Sequence, residues 1–215
     1  MRKFQFLFAA VLLCSSSLLA DDRHQSYISY DEGQAVVRQD DGREATARVN
    51  VPIFPGDEVE TGRRGRSEIR LADGNIIALD RSTQVKFQSI LDSYEGESRQ
   101  TIAEIAFGSA MVHALQGDSG IRIDTPNATY VSRANSLYAI TAGIRGSDEL
   151  AVISGSIEVR TPDGGERIRA GERVRVDSRG ISGGTTGASY GDTDFERWYV
   201  RRAASRVSPG NETDL

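Results

Sequence analysis

Apolar and polar residues alternate through much of the chain with a period of two. Ile69 and Leu71 alternate with Glu68 and Arg70, Ile157 and Val159 with Glu158 and Arg160, and Val174 and Val176 with Arg173 and Arg175. That period predicts β-strands with one face on a core and the other in water. Short runs of this kind flank tight-turn signals. Residues 34–38 and 45–49 flank Asp40–Asp41–Gly42, residues 66–71 and 75–79 flank Asp73–Gly74, and residues 156–160 and 166–169 flank Pro162–Asp163–Gly164. Asp-Gly between alternating runs predicts a hairpin, because glycine supplies the positive φ that the turn needs. The fold class expected is all-β: short antiparallel hairpins in a twisted, solenoid- or sandwich-like arrangement, with one short C-terminal α-helix.

Residues 98–116 fit two periods. Ile102, Ile105, Ala106 and Val112 line one side of a helix, whereas Ile105 and Phe107 alternate as in a strand and Gly108 interrupts the helical pattern. An internal similarity favours strands. The order Gly, three residues, Val or Ile, Arg or His, two residues, Asp or Gln, Gly occurs at Gly33–Gly42, Gly65–Gly74, Gly108–Gly117 and Gly155–Gly164. Each copy reads as turn, strand, turn, which is how a repeated supersecondary unit shows itself. Gly56–Asp57 and Gly171–Glu172 open a further similar element. The turn positions expected to be structural are therefore Gly42, Gly56, Asp57, Asp73, Gly74, Gly155, Gly164 and Gly171.

The pattern changes at both ends. Residues 1–20 run from Arg2 and Lys3 through an apolar stretch to small residues ending at Ala20, the layout of a secretory signal peptide and too short for a membrane span. Residues 26–179 form the β domain. Residues 180–191, GISGGTTGASYG, read as a flexible Gly/Ser/Thr linker. Thr193–Asp194–Phe195–Glu196 then fits a capping box, with Phe195, Trp198, Tyr199 and Ala203 at helical spacing, so residues 193–206 are expected as an amphipathic helix docked on the sheet by its aromatic face. Residues 207–215 read as a frayed tail.

The formal charge is −5, and losing Arg2 and Lys3 with the signal, which holds no acid, takes it to −7. A net-acidic exported chain is a poor ligand for nucleic acid or anionic lipid. The single cysteine, Cys14, lies inside the signal, so the mature chain has no disulfide, thiol nucleophile or cysteine–metal site. About 195 mature residues are enough to bury roughly 70% of the unfolded surface in one domain.

Candidate chemistry is sparse. His24 and His113 lack metal-motif spacing, and His113 reads as a strand packing residue. No Gly-x-Ser-x-Gly elbow or phosphate-binding loop occurs. Asp92, Glu95 and Glu97 would serve a glycan hydrolase or calcium but read more simply as a solvated loop, and Asp192 and Asp194 suit a helix start. No catalytic residue, cofactor or metal ligand is therefore assigned. Arg63, Arg64 and Arg66 are the candidates for gripping an acidic partner, set against a plainer reading as a charged strand edge. Tyr94, Tyr130, Tyr138 and Trp198 are the aromatic residues expected to mark any recognition groove.

Residues 55–87 resemble the FecR domain of bacterial envelope proteins, through Gly56–Asp57 with Thr61, an alternating strand, and Asp73–Gly74 with Ile77 and Leu79. Thr125–Pro126 resembles that family's Thr-Pro, and residues 152–176 resemble its closing segment; together the likeness spans roughly residues 30–178. Where the family usually has Arg-Gly-Thr, this chain has Arg133–Ala134–Asn135. The resemblance implies an all-β periplasmic domain that binds an envelope protein or surface polymer and is not an enzyme. In the best-known members a transmembrane helix links the domain to a cytoplasmic segment that controls a sigma factor. Neither is recognisable here, so the alternative is a regulatory relay acting in trans with a separate membrane protein.

Overall fold

The computed structural model describes residues 25–33, 35–91, 100–115, 120–144, 146–189 and 191–207. The segment expected to be a signal, the acidic residues Asp92, Glu95 and Glu97, Tyr94 and residues 208–215 lie outside them. The N-terminal part forms β1 (Tyr27–Asp31), β2 (Val36–Arg38), β3 (Glu44–Thr46), β4 (Glu58–Glu60), β5 (Ser67–Arg70), β6 (Ile76–Leu79) and β7 (Gln84–Ser89). A long strand, β8 (Thr101–Ala114), follows. The C-terminal part forms β9 (Ile121–Asp124), β10 (Thr129–Ser132), β11 (Ser136–Ile144), β12 (Ser147–Ser154), β13 (Ser156–Thr161), β14 (Gly164–Arg169), β15 (Glu172–Asp177) and β16 (Gly180–Thr186), then one helix, α1 (Asp194–Val207).

The sixteen strands make one open, hydrogen-bonded network folded into two layers. The helix-side layer runs β1-β5-β6-β8-β11-β12-β15-β16 and the far layer runs β3-β2-β4-β7-β8-β9-β10-β13-β14. The strand common to both is β8. Its first half pairs with β7 and β9, and its second half pairs with β6 and β11. All strands before β8 lie on one flank of it and all strands after it on the other, in both layers. The switch falls at Gly108, which has φ +96°.

The hairpins expected at Asp40–Gly42, Asp73–Gly74 and Pro162–Gly164 are the β2–β3, β5–β6 and β13–β14 pairs. Within the ambiguous stretch at residues 98–116, residues 101–114 are strand β8. Almost all ladders are antiparallel. The exception, β8 with β9, is parallel because β8 leaves the far layer halfway along, so the returning chain re-enters that layer beside the start of β8.

The core lies between the layers and includes Ile69, Ile77, Leu79, Phe87, Ile105, Val112, Ile123, Tyr130, Tyr138, Leu150, Val159 and Val176. Tyr130 and Tyr138 are thus core residues with no exposed surface. The expectation that every strand leaves one face in water fails in the helix-side layer. There β6 is buried on both faces: Ile77 and Leu79 point to the core, while Ile76 and Ala78 join Met111, Leu137 and the helix residues Phe195, Trp198 and Tyr199 in a second apolar cluster.

Residues 180–191 are not the flexible linker their composition indicates. Residues 180–186 are strand β16, held in register by β15, with Ile181 against the core. Beyond it, the amides of Gly187 and Ala188 both donate to the Gly171 carbonyl. Ladder pairing overrides the weak intrinsic strand preference of glycine.

Five residues of the expected turn set make hydrogen bonds within their loops or to neighbouring backbone. The carboxylate of Asp57, 3% exposed, accepts from the amides of Phe54 (3.0 Å) and Asp40 (3.3 Å). That of Asp73 accepts from the amide of Asn75 at 3.0 Å. The amides of Gly42, Gly74 and Gly171 donate to the carbonyls of Gln39, Leu71 and Val152.

Candidate functional site

The richest concentration of charge lies where the N-terminus of α1 meets the outer face of the helix-side layer. The helix starts on a reciprocal cap: the Glu196 amide donates to Thr193 Oγ1 (3.1 Å) and the Thr193 amide to Glu196 Oε2 (3.2 Å). This satisfies two amides that the helix cannot satisfy itself. It also turns Phe195, Trp198 and Tyr199 onto the sheet and leaves Asp192, Asp194 and Glu196 facing two arginines from the strands.

Arg66 is the first. The sequence offers it as a recognition residue, yet only 3% of its side chain is exposed. It shares the strand parity of Glu68 and Arg70, whose face would be wet in a bare sheet; here α1 covers Arg66 and Glu68 and leaves Arg70 exposed. Its guanidinium bonds to Asp80 and to Asp194, each at 2.6 Å, and lies 5.4 Å from the Trp198 ring and 5.7 Å from that of Phe195. Arg173 is the second, bonded to Glu149 (2.6 Å), Asp192 (3.1 Å) and Glu196 (3.2 Å). A polar cleft of about 250 Å³ lies between the two arginines.

The other end of α1 carries the opposite polarity. Arg206 and Arg202 approach Glu68 at 3.1 and 3.8 Å, and Ser29 donates to the same carboxylate at 2.7 Å. Trp198 Nε1 donates to Glu32 at 2.7 Å, and His113 Nδ1 is hydrogen-bonded to the Tyr199 hydroxyl at 2.9 Å. Acids at the helix start meet arginines on the sheet, and arginines at the helix end meet a glutamate. The match to the helix dipole is the same at both ends, so the direction of α1 is fixed electrostatically.

The charges are mutually committed. The Asp194 carboxylate is held below its usual pKa, first by the hydrogen bond from Arg66. Asp192 is held low by the Ser189 amide and hydroxyl and then by Arg173. Burial, with Arg206 nearby, lowers the pKa of His113. None of these carboxylates is raised toward neutrality as a general acid requires. Among the described residues, no group of three or more His, Cys, Asp or Glu side chains is placed to hold a metal ion.

These shifts set an acid response. A group whose folded pKa is depressed contributes stability in full above its unfolded value and loses it as pH falls through the folded value. Helix docking is therefore expected to weaken in two stages, from about pH 6.5 downward through His113 and from about pH 3.9 downward through Asp192 and Asp194. Trp198 is the only tryptophan and lies in the docked face, so its fluorescence against pH reads both stages. His113→Gln should remove the upper stage alone.

Arg63 and Arg64, by contrast, are exposed in the turn before β5. Neither has an ion pair or hydrogen bond among the described residues. The turn sits beside Arg81, through the Ser82 amide bonded to the Gly62 carbonyl. The structure separates the three arginines that the sequence grouped: Arg66 beneath the helix, Arg63 and Arg64 outside it. The reading of Arg66 could have been reached only by pairing it with Asp194, 128 residues away.

Residues 57–158 match the family model described as FecR protein. Two crystal structures of a candidate anti-sigma factor from Parabacteroides distasonis ATCC 8503, at 1.65 and 2.50 Å resolution, have a similar fold, each with a TM-score of 0.52 and 18% identity. Each match covers 61% of this chain and 60% of the solved one, so the chain corresponds to less than two thirds of that protein. No curated protein matches the chain.

Proposed function

We propose that this chain, whose residues 57–158 match the FecR family model, is a non-catalytic interaction module of the bacterial cell envelope, working in a regulatory or signalling setting. The observation that carries the reading is the commitment of charge at α1. The carboxylates of the cleft between Arg66 and Arg173 are consumed in fastening the helix, and in the turn that leads to Arg66 the exposed Arg63 and Arg64 have no ion pair among the described residues. The export signal read at residues 1–20 supports a periplasmic location. Among the described residues no helix is long and apolar enough to cross a membrane.

Arg63 and Arg64 are the contact residues for an acidic face of a partner protein; Arg66 is reassigned to holding the helix. Pull-down from envelope extract with the wild-type chain is expected to recover a specific partner, and Arg63→Glu with Arg64→Glu to reduce its capture at least tenfold. Stability should stay within about 0.5 kcal/mol, as for exposed positions generally. Raising the salt should weaken capture, since exposed charges are screened. Undiminished capture by the charge-reversed chain would remove this surface from consideration.

A second reading, a relay in trans with a separate membrane protein, draws support from the name carried by the structural neighbours. A sigma-factor or receptor gene adjacent to this one would favour it; neither being present would count against it.

A further inference from the structure

The far layer carries a second cleft, of about 210 Å³, between the turn after β10 and the β13–β14 hairpin. It is smaller than the roughly 300–1,000 Å³ sites that bury drug-sized ligands. Two arginines from different elements, Arg133 and Arg167, line it. Neither has a hydrogen bond or ion pair among the described residues, although most arginines near the α1 site are paired. The one carboxylate in the cleft, Glu158, is already bonded to Arg160 at 2.7 Å. The cleft is also prebuilt. Gly155 has φ +75°, and a Cβ there would lie 2.5 Å from Ser136 Oγ and 2.7 Å from the Asn135 carbonyl, so the two turns are seated against each other with no space to close.

We propose that this cleft binds a carboxylate-bearing sugar, such as a uronic acid unit of a polysaccharide. Paired guanidinium groups suit a single carboxylate through charge-assisted hydrogen bonds. The Asn135 amide and the Ser156 hydroxyl offer donors and acceptors for ring hydroxyls, and half-buried Val131 offers an apolar patch for the ring face. Glu158 adds an acceptor for a sugar hydroxyl and repels a dianion, which disfavours a phosphate group. Arg133 and Arg167 also help to hold the Glu158 pKa down, after Arg160, so their positive field reaches across the cleft. The inference is independent of the partner surface at Arg63 and Arg64.

Isothermal titration of the chain with trigalacturonate tests it, with fully methyl-esterified trigalacturonate, inorganic phosphate and a glutamate-rich peptide as comparators. Binding of the free acid is expected, with at least tenfold loss in Arg133→Gln and in Arg167→Gln, and no change in Arg175→Gln, which removes a free arginine from the other layer. Amide NMR shifts of the wild-type chain should localise to residues 131–136 and 155–158, a readout that needs no variant to fold. Absence of binding at millimolar trigalacturonate, shifts elsewhere, or equal affinity for the ester, phosphate or peptide would each overturn the proposal.

Discussion

Replacing Gly108 with alanine is expected to cost about 3 kcal/mol or more, a large share of the roughly 5–15 kcal/mol that holds a domain folded. Two independent terms add. The residue has φ +96°, where an L side chain is strained by about 1–3 kcal/mol. A Cβ would also meet Thr83 at 2.4 Å (Oγ1) and 2.5 Å (Cα) and the Ser82 carbonyl at 2.7 Å, and overpacking of this kind costs a further 1–3 kcal/mol. Thr83 cannot move aside cheaply. Its Oγ1 accepts from the Ser109 amide at 2.9 Å, and its own amide donates to Thr61 Oγ1 at 2.9 Å. Gly74 is the internal control: φ is +86°, but nothing lies within 4 Å of the added Cβ. Gly74→Ala should cost only about 1–2 kcal/mol. Urea unfolding followed by Trp198 fluorescence and circular dichroism separates the two. Equal losses in both variants would refute the argument from close packing at the switch.

The second large effect is expected at Asp148. Its carboxylate is 1% exposed and accepts four hydrogen bonds. Thr125 Oγ1 (2.5 Å) and the Tyr130 hydroxyl (2.8 Å) donate to Oδ2; Asn127 Nδ2 (2.7 Å) and the Gly143 amide (3.2 Å) donate to Oδ1. An ionised carboxylate has about four lone-pair sites and no donor, so the match is complete. Asp148→Ala leaves three buried or half-buried side-chain donors and the Gly143 amide without this acceptor and is expected to cost at least about 3 kcal/mol. Asp148→Asn should fall between the two, because its NH₂ group opposes donors that can reorient only at the Thr125 and Tyr130 hydroxyls. A melt in which Asn and Ala variants are equally stable would show that the hydrogen bonds are not the cause. The arrangement also explains Thr125–Pro126. The threonine hydroxyl receives the amides of Asn127 (3.2 Å) and Ala128 (3.1 Å) and passes its proton toward Asp148, tying a surface turn to the β11–β12 hairpin.

Much of this was open to reading along the chain. Hairpins at Asp-Gly turns, the capping box at Thr193 and the aromatic face of α1 are local features, and local rules found them. Layer assignment is not local. Nothing in residues 101–114 states that one strand serves two layers, although Gly108, which spoiled the helical period, marks the bend. Burial of Arg66 was hidden for the same reason. Its parity places it on the polar face of β5, and only the docking of a helix from the far end of the chain makes its place on that face interior. The Gly-rich segment at 180–186 misled in the opposite sense, because composition records propensity and not the neighbour that overrides it.

The strand common to both layers also constrains the order in which the molecule can be assembled. As a nascent chain lengthens, residues 27–89 provide β5 as a partner for β6 and β4 as a partner for β7, but the second partner of each is β8. Until residues 101–114 have emerged, both layers end in an open ladder, and one of those ends is the wholly apolar β6, Ile76–Ile77–Ala78–Leu79. Unpaired apolar edges of this kind aggregate. The stage of synthesis before β8 emerges is thus the one in which the chain is most adhesive, and a holding chaperone would find its binding segment at residues 76–79.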